Sequence, residues 1–496
     1  MLLQFDYSKQ TDYQKFMKLK TIPSYSWKGR MAVVPDAYAS LFSAEKKAGH
    51  DAEYNPSEWL YDYQAAIART AITHKKYAVF AECGLGKTAI MLEFARHCVG
   101  VGKKTLIVSP LMVIPQTIAE ANRFYGDAIQ IEQVRSSRLQ QWLDSDDNEA
   151  IGITNYEAIN ATVTAGNVGA LILDESSLLK SAYGAWGTRL IEIGAGLEYK
   201  LAMTGTPAPN DRIEFANHAV FVDAVRTTNE FLARYFVNRG ETQNRWELKP
   251  HALRPFYRDL SHWCVFLTNP ATYGWKDNCE TIPPIHVHID RIDLTDEQRK
   301  KSQEMTGSLF VNNIGGIGQR SKLAQLAKGK GSTTNKPAFI QGLVASWPEE
   351  STIIWCRYND EQEKIAELFP GCGNIDGSTP LEKRLEIIDG FKSGRIRVLV
   401  SKPKILGFGL NLQVATRHIF SALQDSYEEF HQAVKRSNRI GSTRPLNVHI
   451  PVTELEEPMI QTVLAKAHRI EHDTSEQEAL FKRSRFEMEE TNVNPK

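Results

Sequence analysis

Ala81-Glu82-Cys83-Gly84-Leu85-Gly86-Lys87-Thr88 comes after a strand-like run, Tyr77-Ala78-Val79-Phe80, and leads into a helix-like run, Ala89 to His97. Strand, glycine-containing turn and helix form the setting in which a chain wraps nucleotide phosphates. Gly84 and Gly86 let the backbone turn tightly and aim its N–H groups at one point. The start of the next helix adds partial positive charge at that point. Lys87 is then placed to reach the β- and γ-phosphates, and Thr88 to offer its hydroxyl to Mg²⁺. Ala81 stands where the general pattern has glycine. The plain alternative is an ordinary strand, turn and helix with an incidental Gly-Lys-Thr. The acidic strand end further along the chain argues against it.

That second run, Ala170-Leu171-Ile172-Leu173-Asp174-Glu175-Ser176-Ser177, carries four apolar residues straight into two carboxylates. A buried parallel strand with this pattern delivers both acids at its C-terminal edge, where open α/β sheets bind ligands. There Asp174 holds Mg²⁺, and Glu175 orients and polarises the water that attacks the γ-phosphate. Leu201-Ala202-Met203-Thr204-Gly205-Thr206-Pro207 is the next strand and its loop. Its two hydroxyls can exchange hydrogen bonds between states, or simply end a strand. Upstream, Gln64 presents an amide that both donates and accepts, as adenine's N6 and N7 require.

The 496 residues are enough for two to four domains. Lys+Arg and Asp+Glu are both 59, so any nucleic-acid partner must be met by local basic patches rather than by net charge. The six cysteines form no C-x-x-C pair, which points away from a zinc site or disulfide framework and toward a reducing interior. Met1 to Asp6 shows no basic leader, and no run has the apolar length of a membrane span, so a cytoplasmic location is expected.

Strands and helices alternate over 56–222, which predicts a parallel sheet covered on both faces. Residues 1–55 interleave aromatics and lysines, with a hairpin expected over Ser24 to Pro35. They suit nucleic acid, but a small packed extension is the favoured reading. The alternation lapses over 223–336, which reads as a linker or helical and irregular insertion. Its basic run (Arg320, Lys322, Lys328, Lys330, Lys336) is either a solvated loop or a phosphate contact. A second α/β domain is expected over 337–455. Residues 456–496 read as a charged helical tail that packs on the second domain or trails away. Within 337–455, Ser426-Tyr427-Glu428-Glu429 fits a capping box. On the helix it opens, Gln432, Arg436 and Arg439 are expected to share one face. Two arginines presented together can clamp a charged transition state; the bland reading is a basic helix end.

Taken in order, these motifs resemble those of the superfamily 2 helicase-like ATPases (relatives of the DEAD/DEAH-box helicases), and within them the Swi/Snf-type group. The short spelling is most similar to bacterial and bacteriophage members. Tyr63-Gln64 resembles the Q motif, Cys83 to Thr88 motif I, Leu106 to Pro110 motif Ia and Ile153 to Glu157 motif Ib. Asp174 to Ser177 resembles motif II and Met203 to Asn210 motif III. Asp376 to Thr379, Gly407 to Leu412 and Gln432 to Gly441 resemble the second-domain motifs. The resemblance implies two RecA-like domains that bind Mg²⁺ and ATP. Gln64, Cys83, Gly84, Leu85, Gly86, Lys87, Thr88 and Gly409 would lie around the nucleotide. Arg436 and Arg439 would act across a cleft, with Gln432 helping to place the water. Backbone contacts to DNA, duplex or branched, would come from Ser109, Pro110, Thr154, Asn155, Ser401, Lys402 and Lys404, and Thr204, Gly205 and Thr206 would couple the two. Three departures stand out: Ser176-Ser177 where Ala-His is usual, Lys402-Pro403-Lys404 where small residues are usual, and Gly441-Ser442-Thr443 in place of Gly-Gln. Strand separation or annealing, action on RNA, and a non-catalytic ATP-binding clamp are the alternatives to translocation on DNA. Protein partners are not indicated.

Overall fold

Lys76–Ala81, the run that enters the glycine turn, is a strand buried along most of its length in a computed structural model of the chain. The structure describes residues 1–6, 9–42, 54–180, 185–208, 211–240, 246–277, 282–306, 317–329, 332–406, 410–421, 427–457, 460 and 478–483. The chain forms two units: Met1–Asp277 with Asp473–Lys496, and Asn278–His472.

The first unit begins with a three-stranded antiparallel sheet of β1 (Leu2–Gln4), β2 (Ser26–Lys28) and β3 (Met31–Val33). The expected hairpin is its β2–β3 pair, turning at Gly29 with φ +62°. This extension packs on the unit's main body: Ser24 Oγ donates to Glu230 Oε2 at 2.8 Å, and the Tyr38 ring meets His262 at 5.3 Å.

The main sheet takes β4 (Lys76–Ala81), β5 (Thr105–Ser109), β6 (Ile131–Gln133), β7 (Ile151–Asn155), β8 (Ala170–Asp174) and β9 (Tyr199–Thr204). Beyond the small hairpin of β10 (Phe236–Asn238) and β11 (Trp246–Leu248), β12 (Cys264–Leu267) completes it. The order is β12-β4-β9-β8-β5-β7-β6, and every pairing is parallel. β5 and β8 are buried at every position, as their unbroken apolar runs require of strands covered on both faces. All glycine-turn and acid motifs therefore emerge at one edge, the C-terminal ends of β4, β8 and β9.

The second unit has a six-stranded parallel sheet. Its strands are β13 (Ile285–Arg291), β14 (Thr352–Trp355), β15 (Gly373–Ile375), β16 (Val398–Ser401), β17 (Arg417–Phe420) and β18 (Leu446–Val452), in the order β13-β18-β17-β14-β16-β15. Ile354, Val400 and Ile419 from its centre pack with Ile340 and Ile365 of the neighbouring helices.

Three stretches take definite places. Residues 223–336 contribute one strand to each of the two parallel sheets. β12 extends the first sheet beside β4, and β13 extends the second beside β18. The aromatic stretch that looked irregular is packing: Phe256 meets Phe215, Phe231, Tyr235 and Phe236 at 5.3–6.0 Å. In the basic run, Lys328 and Lys336 are buried against Glu456, at 3.8 and 2.7 Å, and so are not solvated phosphate contacts. The described tail residues divide: Glu456 pairs with Lys336 in the second unit, whereas the Phe481 ring lies 5.1 Å from Phe266 and Glu478 accepts from the Thr268 N–H at 3.1 Å in the first.

Candidate nucleotide site

The glycine turn has the geometry its composition predicts. Gly84 and Gly86 sit at φ +91° and +71°, and the helix Lys87–Gly100 starts directly after them. Conformation favours glycine here, and a Cβ on Gly86 would stand 2.2 Å from Gln64 Nε2 and displace that amide. Lys87 Nζ donates to the Ala81 carbonyl at 2.9 Å, folded back over the turn it serves. Thr88, in the first turn of the same helix, is half-buried. Cys83 and Leu85 are buried, and the Cys83 N–H donates to Glu82 Oε1 at 2.8 Å.

Gln64 supports this loop from below. Its Nε2 donates to the Leu85 carbonyl at 3.2 Å, its Oε1 accepts from the Tyr61 N–H at 3.1 Å, and it is 5% exposed. In this structure the amide thus holds the phosphate loop and caps its own helix. The Tyr63 hydroxyl donates to the same Leu85 carbonyl at 3.0 Å. Tyr63 stacks on Tyr61 at 5.8 Å and meets Trp275 at 6.4 Å, which sets an aromatic column beside the loop. Tyr61 and Tyr63 could have been suspected as neighbours of Gln64. Trp275 could not, because only the return of β12 brings it there.

Asp174 and Glu175 end β8 as expected, 8% and 5% exposed. Ser109 Oγ donates to Asp174 Oδ2 at 2.9 Å, and the Tyr156 hydroxyl donates to the Asp174 carbonyl at 2.6 Å. Glu175 turns at φ +53°, a conformation sparsely populated by non-glycine residues and concentrated at functional turns. Burial, then the neighbouring Glu175 charge, pushes the Asp174 carboxyl up to about 6, against the pull of Ser109 and Lys87. Two crowded, buried carboxyl groups are the environment a divalent cation relieves. Among the described residues no group of three or more His, Cys, Asp or Glu could hold a metal unaided. One hydroxyl, Thr88, and one carboxylate, Asp174, fit a cation that takes its remaining oxygens from phosphate and water, as Mg²⁺ does.

The Thr204–Thr206 loop lies between these two elements. Thr204 Oγ1 stands 3.5 Å from Glu175 Oε2 and accepts from the Thr206 N–H at 3.1 Å. A Cβ on Gly205 would stand 3.3 Å from Cys83 Sγ and 3.4 Å from the Ala81 carbonyl, so the loop touches the phosphate turn as well as the acid. Behind the acids, Ser176 Oγ and His218 Nε2 are 3.1 Å apart. Burial lowers that imidazole to about 4, so it is neutral. Sequence reasoning missed His218, which lies on a separate helix with no motif around it.

The residues read as nucleic-acid contacts divide. Ser109, Thr154 and Ser401 are fully buried, and their hydroxyls face inward, to Asp174, to the Val134 carbonyl and to the Ile375 carbonyl. Each is the last or penultimate residue of a buried strand, and its hydroxyl is consumed within the unit. Pro110 and Asn155 are partly exposed at the same edge. Lys402 donates to Asn359, and exposed Lys404 lies 3.8 Å from Glu429.

The helix Tyr427–Val434 stops before Arg436, so Gln432, Arg436 and Arg439 do not share one helical face. Beyond its end, the Arg436 carbonyl accepts from the Leu412 N–H at 3.0 Å, and Ser437 Oγ donates to the Leu412 carbonyl. Gln432 and Arg436 are buried; half-buried Arg439 donates to the Lys435 carbonyl. Gly409, Asn210 and the capping Ser426 lie outside the described residues.

Two family models match this chain: the SNF2-related domain over residues 58–344 and the helicase conserved C-terminal domain over 335–441. The protein p41 of Acyrthosiphon pisum secondary endosymbiont phage 1 is 25% identical over 78% of this chain and 91% of its own length. DNA excision repair protein CSB of Oryza sativa subsp. japonica is 22% identical over 86% of this chain, which spans 40% of that protein. ATP-dependent DNA helicase DDM1 of Arabidopsis thaliana is 23% identical over 74% of this chain, which spans 55% of it. The SWI2/SNF2 ATPase core of Sulfolobus solfataricus, solved with double-stranded DNA, is 19% identical, covers 89% of this chain and 98% of its own, and superposes with a TM-score of 0.39.

Proposed function

The chain belongs to the SNF2-related family, and from that premise we propose that it is an ATP-driven motor that moves along duplex or branched DNA without separating the strands. The observation that supports this best is the convergence of Lys87, Asp174, Glu175 and the Thr204–Thr206 loop at one sheet edge, with Ser109 and Tyr156 tying Asp174 to the loops after β5 and β7. Gln64, Cys83, Gly84, Leu85 and Gly86 shape the turn that receives the triphosphate, and Lys87 leaves the Ala81 carbonyl to meet it. Thr88 and Asp174 would hold Mg²⁺, which would supply positive charge against the phosphate oxygens. Glu175 orients the attacking water and accepts its proton. In the second unit Arg436 and Arg439 are assigned to the charge that develops on the γ-phosphoryl group, with Gln432 positioning the water. DNA meets the chain through its backbone at Pro110, Asn155, Lys402 and Lys404, contacts that carry little sequence information.

A triplex-displacement assay on linear duplex, run beside strand displacement on forked duplexes, tests the direction of this reading. Translocation predicts ATP-dependent release of the third strand and no strand separation. Release of a duplex strand without triplex displacement would assign the chain to the strand-separating motors instead.

A further inference from the structure

Asp174 accepts hydroxyl hydrogen bonds at one side-chain oxygen and at its main-chain oxygen, from the ends of two other strands. Ser109, fully buried at the end of β5, donates to the side-chain oxygen at 2.9 Å; Tyr156, 2% exposed and the first residue after β7, donates to the main-chain oxygen at 2.6 Å. β5 lies next to β8, but β7 lies one strand further out, so the Tyr156 side chain spans β5 to reach its acceptor. Register places Ser109 opposite Asn155 and Val108 opposite Leu173, which sets all three strand ends at one level. Immediately beyond, Glu175 adopts its φ of +53°. A left-handed glutamate persists only where its surroundings over-determine it, and the residue carrying the two bonds directly precedes that turn.

Ser109 directly precedes Pro110, and Tyr156 directly follows Asn155; Pro110 and Asn155 are the two residues of this unit that the proposed function gives to DNA. We infer that Ser109 and Tyr156 are positioning residues that carry DNA engagement to the cation-holding carboxylate. A shift of Pro110 or Asn155 draws on one oxygen of Asp174 and resets the turn that aims Glu175. Neither hydroxyl needs to touch DNA or nucleotide. This inference rests on the DNA-motor reading, and its test separates the two.

The measured quantity is the ratio of ATP turnover with saturating duplex DNA to turnover without it, in the full chain, alongside DNA affinity. For the double variant Ser109→Ala/Tyr156→Phe, the ratio is expected to fall by about 5-fold or more, the lower range of site-to-site coupling, with DNA affinity unchanged. Ser109→Thr, which keeps a hydroxyl, is expected to retain the wild-type ratio. Parallel losses with and without DNA, leaving the ratio intact, would overturn the inference and reduce both residues to supports of the fold or of Asp174. A wild-type chain that no DNA stimulates would overturn the motor reading itself.

Discussion

Gly86 is where fold and function meet most tightly at the scale of one residue. Its φ is +71°, and a Cβ there would collide with Gln64 Nε2 at 2.2 Å. Gly86→Ala therefore introduces left-handed strain of roughly 1–2 kcal/mol and also displaces the amide that holds the Leu85 carbonyl. At Gly102, with φ +72° and open space around it, the same change introduces the strain alone. Nucleotide affinity measured by calorimetry is expected to fall by about tenfold or more for Gly86→Ala, since every ~1.4 kcal/mol is a factor of ten, and to stay within about twofold for Gly102→Ala. Equal affinities in the two variants would show that the Gln64 contact does not shape the phosphate loop.

At the scale of elements, the first unit depends on β12 and the segment that covers it. Phe481 is fully buried on Phe266, and Glu478 holds Thr268 just past the strand. Phe481→Ala is expected to destabilise the first unit by about 3 kcal/mol. Hydrogen exchange should then quicken at the amides of Val265 to Leu267 and stay unchanged at β18. Uniform protection in both sheets would contradict this dependence. The same strand marks how far the sequence could be read. β4, β5, β8 and β9 were legible because each is an apolar run ending in glycine, proline, acid or hydroxyl residues, and the chemistry of the site was legible with them. β12 is four residues long and sits among aromatics with no repeat of its own. Its place beside β4 is decided by tertiary pairing, and so is the place of Trp275 just after it. Ser109 and Thr154 were legible as strand ends, but the direction of their hydroxyls depends on partners from other strands. The turn of Arg436 and Ser437 toward Leu412 was hidden for a similar reason, since that partner comes from a distant loop.

Across the whole molecule, buried imidazoles govern the response to acid. Burial holds His218 and His262 of the first unit at about 4, and His418 of the second at about 3, all below the ordinary 6.5. A depressed native value means that the unfolded chain takes up protons first. The stability each contributes is complete above pH 6.5 and is lost as pH falls toward 4, or toward 3 for His418, on the order of 3 kcal/mol for His218 and His262 and about 5 kcal/mol for His418. Asp174, raised to about 6, works in the opposite sense, because its protonation between pH 6 and 3.8 favours the native state. The loss from the lowered histidines outweighs the gain from Asp174 between pH 7 and pH 5, so melting temperatures are expected to decline steadily over that range in both units. A flat profile over that range would mean that these histidines are not buried in neutral form.

The most direct measurement is steady-state ATP hydrolysis with no nucleic acid, single-stranded DNA, duplex DNA, branched DNA and RNA, for the wild-type chain and for Lys87→Ala and Glu175→Gln. The expected result is strong stimulation by duplex or branched DNA, with turnover at least ~10²-fold lower in either variant while its melting profile stays native, since each loses transition-state charge or water activation. Near-normal turnover in either variant would contradict the site. Stimulation by RNA or single strands alone would contradict the duplex-DNA motor.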